Sequence, residues 1–112
     1  MKQPQPERVV TISKESGLER PQLTVDLNKV RANISRVVGR LQKRGLFVRP
    51  HFKTHQCAVI GEIFRDAGIT AATVSSLDMA TYFANHGWRD LTLAVPVNLA
   101  QLHAISQFDP QV

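Results

Sequence analysis

Cysteine, aromatic residues and long apolar runs are scarce in this 112-residue chain. Cys57 is its one cysteine, so an internal disulfide is excluded. The opening MKQPQPERVV contains no apolar run ahead of a cleavage site, and polar residues interrupt the longest uncharged stretch, residues 91–108. We therefore expect a soluble, cytoplasmic protein with no membrane partner.

Acidic residues are scarce in the first half of the chain. Residues 1–56 carry a net charge of +8, whereas residues 57–112 carry −3. Such asymmetry is compatible with a nucleic-acid surface. However, the basic residues along the first predicted helix and at its C-terminal end interleave with apolar ones and have no aromatic platform nearby. They are Lys29, Arg31, Arg36, Arg40, Lys43 and Arg44. We expect a solvated helix face and no nucleic-acid partner.

Strand and helix patterns alternate after an N-terminal arm. Residues 1–20 are predicted to form an irregular arm, in which residues 8–12 could add a short strand, and residues 21–112 form the folded domain. Short apolar runs predict strands at residues 23–25, 46–48, 69–74 and 91–95. Helical apolar spacing predicts helices from residue 27 to residue 41, over residues 58–67 and 77–85, and from residue 99. Asp26, Ser76 and Asn98 are predicted helix caps.

This alternation predicts an α/β fold with a parallel sheet covered by helices on both faces. An open doubly wound sheet and a (β/α)8 barrel share the pattern, and a complete barrel takes about 250 residues. The chain can therefore supply only part of a barrel. In both architectures, chemistry collects in the loops beyond the carboxyl ends of the strands.

The most reactive loop is predicted to span residues 49–57, Arg-Pro-His-Phe-Lys-Thr-His-Gln-Cys. A neutral Lys53 amine could attack a carbonyl, and the neighbouring cation Arg49 would favour that neutral form. His51 and His55 could relay protons. A metal site is the alternative, but the spacing of these histidines with Cys57 matches no common zinc pattern. We predict no metal ligand in this chain and a spectator role for Cys57.

The run RPHFKTH resembles the RPHxKTH signature of the D-threonine aldolase and D-serine dehydratase family, pyridoxal-phosphate enzymes related to alanine racemase. The segments PQLTVDLNKVRANISRV and ATVSSLDMATYFANHGWRDLTLAVPV are similar to the same family in order and spacing. The resemblance covers roughly residues 21–98. It implies that the domain is the N-terminal part of a truncated alanine-racemase-like (β/α)8 barrel.

The resemblance also implies a cofactor site. Lys53 matches the lysine that holds pyridoxal 5'-phosphate as an internal aldimine, and His51, Thr54 and His55 match positions that shape the cofactor pocket. The expected activity is a lyase reaction on a D-3-hydroxy amino acid, of aldolase or dehydratase type, assisted in the complete enzyme by a divalent metal. An amino-acid racemase and a non-catalytic cofactor-binding module are the alternatives.

Two departures from the family pattern qualify this interpretation. Gln56 stands where the family often has lysine, and the run SSLD at residues 75–78 replaces its usual Gly-Glu-Ala-Glu. The family's phosphate-binding loop, metal ligands and second domain would all follow residue 112. We therefore expect an N-terminal fragment that is inactive alone and that forms a homodimer or self-associates through an open barrel edge.

Overall fold

The computed structural model describes residues 9–11 and 23–108. These residues form four strands and four α-helices in the order β1 (Val9–Thr11), β2 (Thr24–Asp26), α1 (Leu27–Gln42), α2 (Ala58–Asp66), β3 (Ala71–Val74), α3 (Leu77–Asn85), β4 (Asp90–Leu93) and α4 (Leu102–Ser106). Two 3-10 turns, Phe52–Thr54 and Leu99–Gln101, lie before α2 and before α4. No helix within the described ranges is long and apolar enough to cross a membrane.

Strands β1 and β2 pair antiparallel, with Val10 opposite Val25. Strand β1 lies within the predicted irregular arm, at the place where a short strand had been allowed. The rest of residues 1–20 lies outside the described residues, so the boundary between arm and domain stays a prediction.

Helix α1 begins and ends where local chemistry predicts. The Asp26 side chain accepts hydrogen bonds from the amides of Asn28 and Lys29 at 3.0 and 3.1 Å, which satisfies two amides that would otherwise lack an acceptor. Beyond the helix, Gly45 has a φ of +67°, a left-handed conformation that glycine adopts without a steric penalty. The six basic residues singled out in the sequence are all exposed, as expected of a solvated face.

The strand predicted at residues 46–48 does not form. Leu46 and Phe47 are exposed, and pairing with β3 is limited to one bridge between His51 and Thr73. The Thr73 amide donates to the Pro50 carbonyl at 2.8 Å. Because proline has no amide hydrogen to donate, Pro50 cannot extend this pairing into a regular ladder.

Strands β3 and β4 pair in parallel, with Ala72 opposite Leu91 and Val74 opposite Leu93. These four residues pack into a helix-covered core that includes Ile63, Met79, Phe83 and Trp88. The α/β class with parallel strands is confirmed. The described core lies against one face of this sheet, and on the opposite face Ala71 is buried although Asp90 and Thr92 are exposed.

The last predicted helix forms as two short pieces. The Asn98 side chain accepts from the Ala100 amide at 3.0 Å and so caps the 3-10 turn Leu99–Gln101, which leads into α4. Leu99, Leu102 and Ile105 are all exposed. These apolar side chains do not contribute to the described core, although their spacing had suggested a packed helix.

Candidate active site

The lysine loop, defined here as residues 51–57, follows the His51–Thr73 bridge and so leaves the carboxyl end of a strand-like segment that runs parallel to β3. The residues after β3 lie at the same end, because carboxyl ends of parallel strands share one edge. The topology therefore places the loop where the sequence predicted chemistry.

His51 caps the 3-10 turn that carries Lys53. Its Nδ1 atom accepts a hydrogen bond from the Lys53 amide at 3.2 Å. In the neutral ring, Nδ1 must then be the unprotonated nitrogen, and Nε2 carries the proton. Thr54 closes the same turn by donating its hydroxyl to the His51 carbonyl at 3.2 Å. His51 therefore holds the Lys53 backbone and keeps Nε2 as a donor.

Lys53 has an exposed side chain on a fixed backbone. Besides the bond from its amide to His51, its carbonyl accepts from the Gln56 side-chain amide at 3.3 Å. Within the described residues, the Lys53 ammonium group makes no salt bridge. This combination leaves the amine accessible to a reagent with an aldehyde group.

Phe52 anchors the loop in the core. It is fully buried, and its ring centroid lies 4.7 Å from that of Phe83 and 4.8 Å from that of Trp88. The side chains of the neighbouring residues Phe52 and Lys53 therefore lie in opposite environments, the first buried and the second exposed. The loop is a rigid support for the amine because its central aromatic side chain is part of the hydrophobic core.

His55 packs beside Phe52 rather than lying open next to the amine. Its ring stacks on Phe64 at a centroid distance of 5.7 Å and meets the edge of Phe52 at 4.7 Å. Burial lowers the pKa of His55 below its ordinary value. Its Nε2 atom is buried and makes no hydrogen bond in the described part of the chain. This environment favours the neutral ring.

The His55 environment predicts a pH-dependent stability. Because the unfolded chain binds a proton near pH ~6.5 while the folded chain resists it, the free energy of unfolding should fall as pH drops through ~6.5 toward the lower folded-state pKa. Denaturant titrations at several pH values should show a smaller fall for His55→Phe, which keeps the aromatic packing, than for the unsubstituted chain. The control variant His103→Gln should show the same decrease in the free energy of unfolding as the unsubstituted chain. A profile unchanged in His55→Phe would contradict this assignment.

The end of the lysine loop contains two residues in unusual settings. Gln56 has a φ of +46°, a left-handed conformation uncommon for a residue with a side chain. Half-buried Cys57 precedes α2 without capping it through its side chain. Instead, the Ala58 amide donates to the Tyr82 hydroxyl at 3.0 Å. Sequence reasoning missed Tyr82, because this contact joins helices α2 and α3 through residues 24 positions apart along the chain.

Arg49 does not act as a free cation beside the lysine. Its Nη1 atom lies 2.7 Å from Asp90 Oδ1, so its charge is paired. The expectation that treated Arg49 as a free cation is therefore wrong, because Asp90 neutralises its charge. Sequence reasoning also missed Asp90, which lies 41 positions further along the chain.

The described residues contain no group of three or more histidine, cysteine, aspartate or glutamate side chains arranged to hold a metal ion. His51, His55 and Cys57 are thus not brought together as ligands. An open groove of about 550 Å³ lies between α3 and α4 and includes Thr81, Arg89 and Phe108 among its lining. None of its lining residues belongs to the lysine loop, so the groove and the loop are separate features.

A lysine-bearing turn at the carboxyl end of a strand, in a parallel α/β arrangement, is the class of site that the motif RPHFKTH implied. No protein-family model matches the chain. Comparison with individual proteins confirms the resemblance to the family of D-threonine aldolase and D-serine dehydratase over most of the chain.

The chain is similar to D-threo-3-hydroxyaspartate dehydratase of Delftia sp. (strain HT23), with 35% identity over 78 residues, which are 70% of this chain and 20% of that protein. Solved structures of the same dehydratase are also similar to this chain. A variant of this dehydratase superimposes with a TM-score of 0.72, and the enzyme from Delftia sp. HT23 with 0.71. Both are 32% identical and match 74% of this chain, against 21% and 22% of theirs. The chain thus spans about a fifth of the length of the relative.

Proposed function

We propose that this chain carries the cofactor-binding lysine of a pyridoxal-phosphate-dependent lyase for D-3-hydroxy amino acids, with Lys53 in that role. The main supporting observation is the exposed Lys53 amine on a turn fixed by His51 and anchored by Phe52. A similar dehydratase gives the reaction class. The aldolase reaction stays an alternative, as does racemisation.

The side chains around Lys53 fit an aldehyde-bearing cofactor. Lys53 would hold the aldehyde group of such a cofactor through its neutral amine. His51 Nε2 is available as a proton donor two residues from Lys53 along the chain. Thr73 and Thr92 add small hydroxyl side chains to the sheet face opposite the core. When bound, pyridoxal phosphate supplies an electron sink for charge that develops at the substrate Cα atom.

The matched residues have different proposed roles. His51 orients Lys53 and presents its Nε2 hydrogen, and Thr54 holds the turn through its bond to the His51 carbonyl. His55 shapes the pocket from behind, because its ring packs against Phe52 and Phe64. For the dehydratase reaction, the substrate loses its α-proton and its β-hydroxyl group. A divalent metal would assist departure of the hydroxyl. One structure of the similar dehydratase is a metal-free form.

A cofactor-binding module without turnover is the second candidate, because an exposed Lys53 amine on a fixed turn accounts for cofactor binding but not by itself for turnover. Both candidates predict cofactor binding at Lys53, but only the enzyme consumes substrate. Purified chain should therefore be treated with pyridoxal phosphate, reduced with borohydride and digested for peptide mapping. We expect label on Lys53 in preference to Lys29 in α1 and Lys43 just after it. Equal labelling of the three would contradict the proposal.

We also propose that the chain forms part of a (β/α) barrel and self-associates through its open edge. Strand β4 pairs with β3 alone among the described residues, and an unpaired strand edge is a template for association. Val95, Val97 and Leu99, which follow β4, are exposed. Sedimentation velocity should show oligomers that increase with concentration, and Val97→Lys should reduce them. A monomer at every concentration would contradict self-association.

A further inference from the structure

We propose that the ion pair between Arg49 and Asp90 is the positioning device that fixes the lysine loop on the sheet. This inference rests on the proposed function in that it takes Lys53 as the reactive amine. Arg49 is thereby a positioning residue, which acts on Lys53 through the backbone and does not bind the cofactor itself.

The segment before the lysine loop, residues 46–50, needs such a device because it makes almost no backbone hydrogen bonds to the sheet. Its contacts with β3 are the His51–Thr73 bridge and the bond from the Thr73 amide to the Pro50 carbonyl. Pro50 only accepts in this bond, and because it has no amide hydrogen it cannot donate a backbone hydrogen bond to β3. Leu46 and Phe47 are exposed, so among residues 46–48 only half-buried Val48 packs against the core.

Arg49 supplies the missing connection with its guanidinium group. Nη1 lies 2.7 Å from Asp90 Oδ1, and it is also 3.4 Å from the Ala72 carbonyl and 3.4 Å from the Asp90 carbonyl. A single side chain therefore reaches both β3 and β4. Charged hydrogen bonds of this kind are stronger than neutral ones.

Strand register explains why these two residues meet. Ala71 is opposite Asp90, and Thr73 is opposite Thr92. His51 bridges Thr73, so Arg49, two residues earlier, falls in the row of Ala71 and Asp90. The ion pair thus lies on the sheet face opposite the core, in the row of buried Ala71 and one row before that of His51.

The environment of Arg49 limits its freedom. Its side chain is 29% exposed, compared with 56% for Asp90, and its guanidinium carbon lies 5.6 Å from the centre of the Phe47 ring. By contrast, Arg31 and Asp66 form a pair at 3.5 Å with both side chains more than half exposed. The second pair serves as a matched control, because it lies outside the sheet and the lysine loop.

The experiment compares Arg49→Gln, Asp90→Asn, the double variant and the control Arg31→Gln in the 112-residue chain. Amide hydrogen exchange is measured at Thr73, which bonds to Pro50, and at Ala80 in α3 as a remote reference. Each single variant at the pair should lower protection of the Thr73 amide about tenfold, with little change at Ala80. The double variant should resemble the single ones, because each already breaks the pair. Arg31→Gln should change neither amide.

Borohydride trapping with pyridoxal phosphate provides the second readout, as the ratio of label on Lys53 to label on Lys43. This ratio should fall severalfold in Arg49→Gln and stay constant in Arg31→Gln. If the original chain prefers Lys53 and Arg49→Gln does so equally, the positioning role is wrong while the proposed function stands. If the original chain shows no preference but Thr73 loses protection in both pair variants, the proposed function fails and the pair still fixes the segment. Additive or uniform losses of protection would overturn the inference.

Discussion

Replacing Phe52 by alanine is expected to lower the free energy of unfolding by about 3–5 kcal/mol, the usual cost of truncating a buried phenylalanine. Phe52 is fully buried and its ring contacts those of Phe64, Phe83 and Trp88, so the substitution leaves a cavity at the centre of the aromatic cluster. Small domains are stable by only about 5–15 kcal/mol. Much of the chain's stability should therefore be lost.

The matched control is Phe47→Ala, which removes the same side chain from an exposed position in the preceding segment. Denaturant unfolding followed by Trp88 fluorescence should show a large decrease in midpoint for Phe52→Ala and a small one for Phe47→Ala. Similar decreases for the two variants would mean that Phe52 is not the anchor of the lysine loop.

Substitution of Lys53 should abolish specific attachment of pyridoxal phosphate. In Lys53→Ala, the reducible absorbance band and the label on the peptide containing residue 53 should both disappear, because no other amine lies on the turn fixed by His51. Turnover, where the complete protein shows it, should fall to nearly nothing. Stability should change little, since the Lys53 side chain is exposed.

Lys43→Ala is the control for this substitution, because Lys43 is also exposed and lies just after α1, away from the lysine loop. It should leave the absorbance band and the label on Lys53 unchanged. A pyridoxyl group that moves to another lysine without loss of the band would refute the assignment of Lys53.

Local chemistry accounts for the elements that the sequence predicted well. The caps Asp26, Ser76 and Asn98 all accept the expected backbone hydrogen bonds. Helix α2 begins at Ala58 as predicted, and α3 spans the predicted residues. Such signals depend on residues a few positions apart, so they do not depend on tertiary contacts with the rest of the chain.

Predictions that depended on distant pairing were less successful. The strand predicted at residues 46–48 had the right apolar composition, but strand formation requires a partner, and Pro50 limits pairing with β3 to a single bridge. The role of Arg49 was misread for a similar reason. Its partner Asp90 belongs to strand β4, and a separation of 41 positions along the chain does not reveal the pairing of the two residues.

The sequence by itself determined the α/β class, the helix ends and the motif that holds Lys53, because these follow from propensity, capping and a contiguous run of residues. Only the tertiary structure decided that Phe52 and His55 pack into the aromatic core while Lys53 stays exposed. It also decided that Arg49 pairs with Asp90 and that Tyr82 caps α2. These contacts join residues that packing and strand register bring together, and their free energies depend on burial and distance that no local pattern encodes.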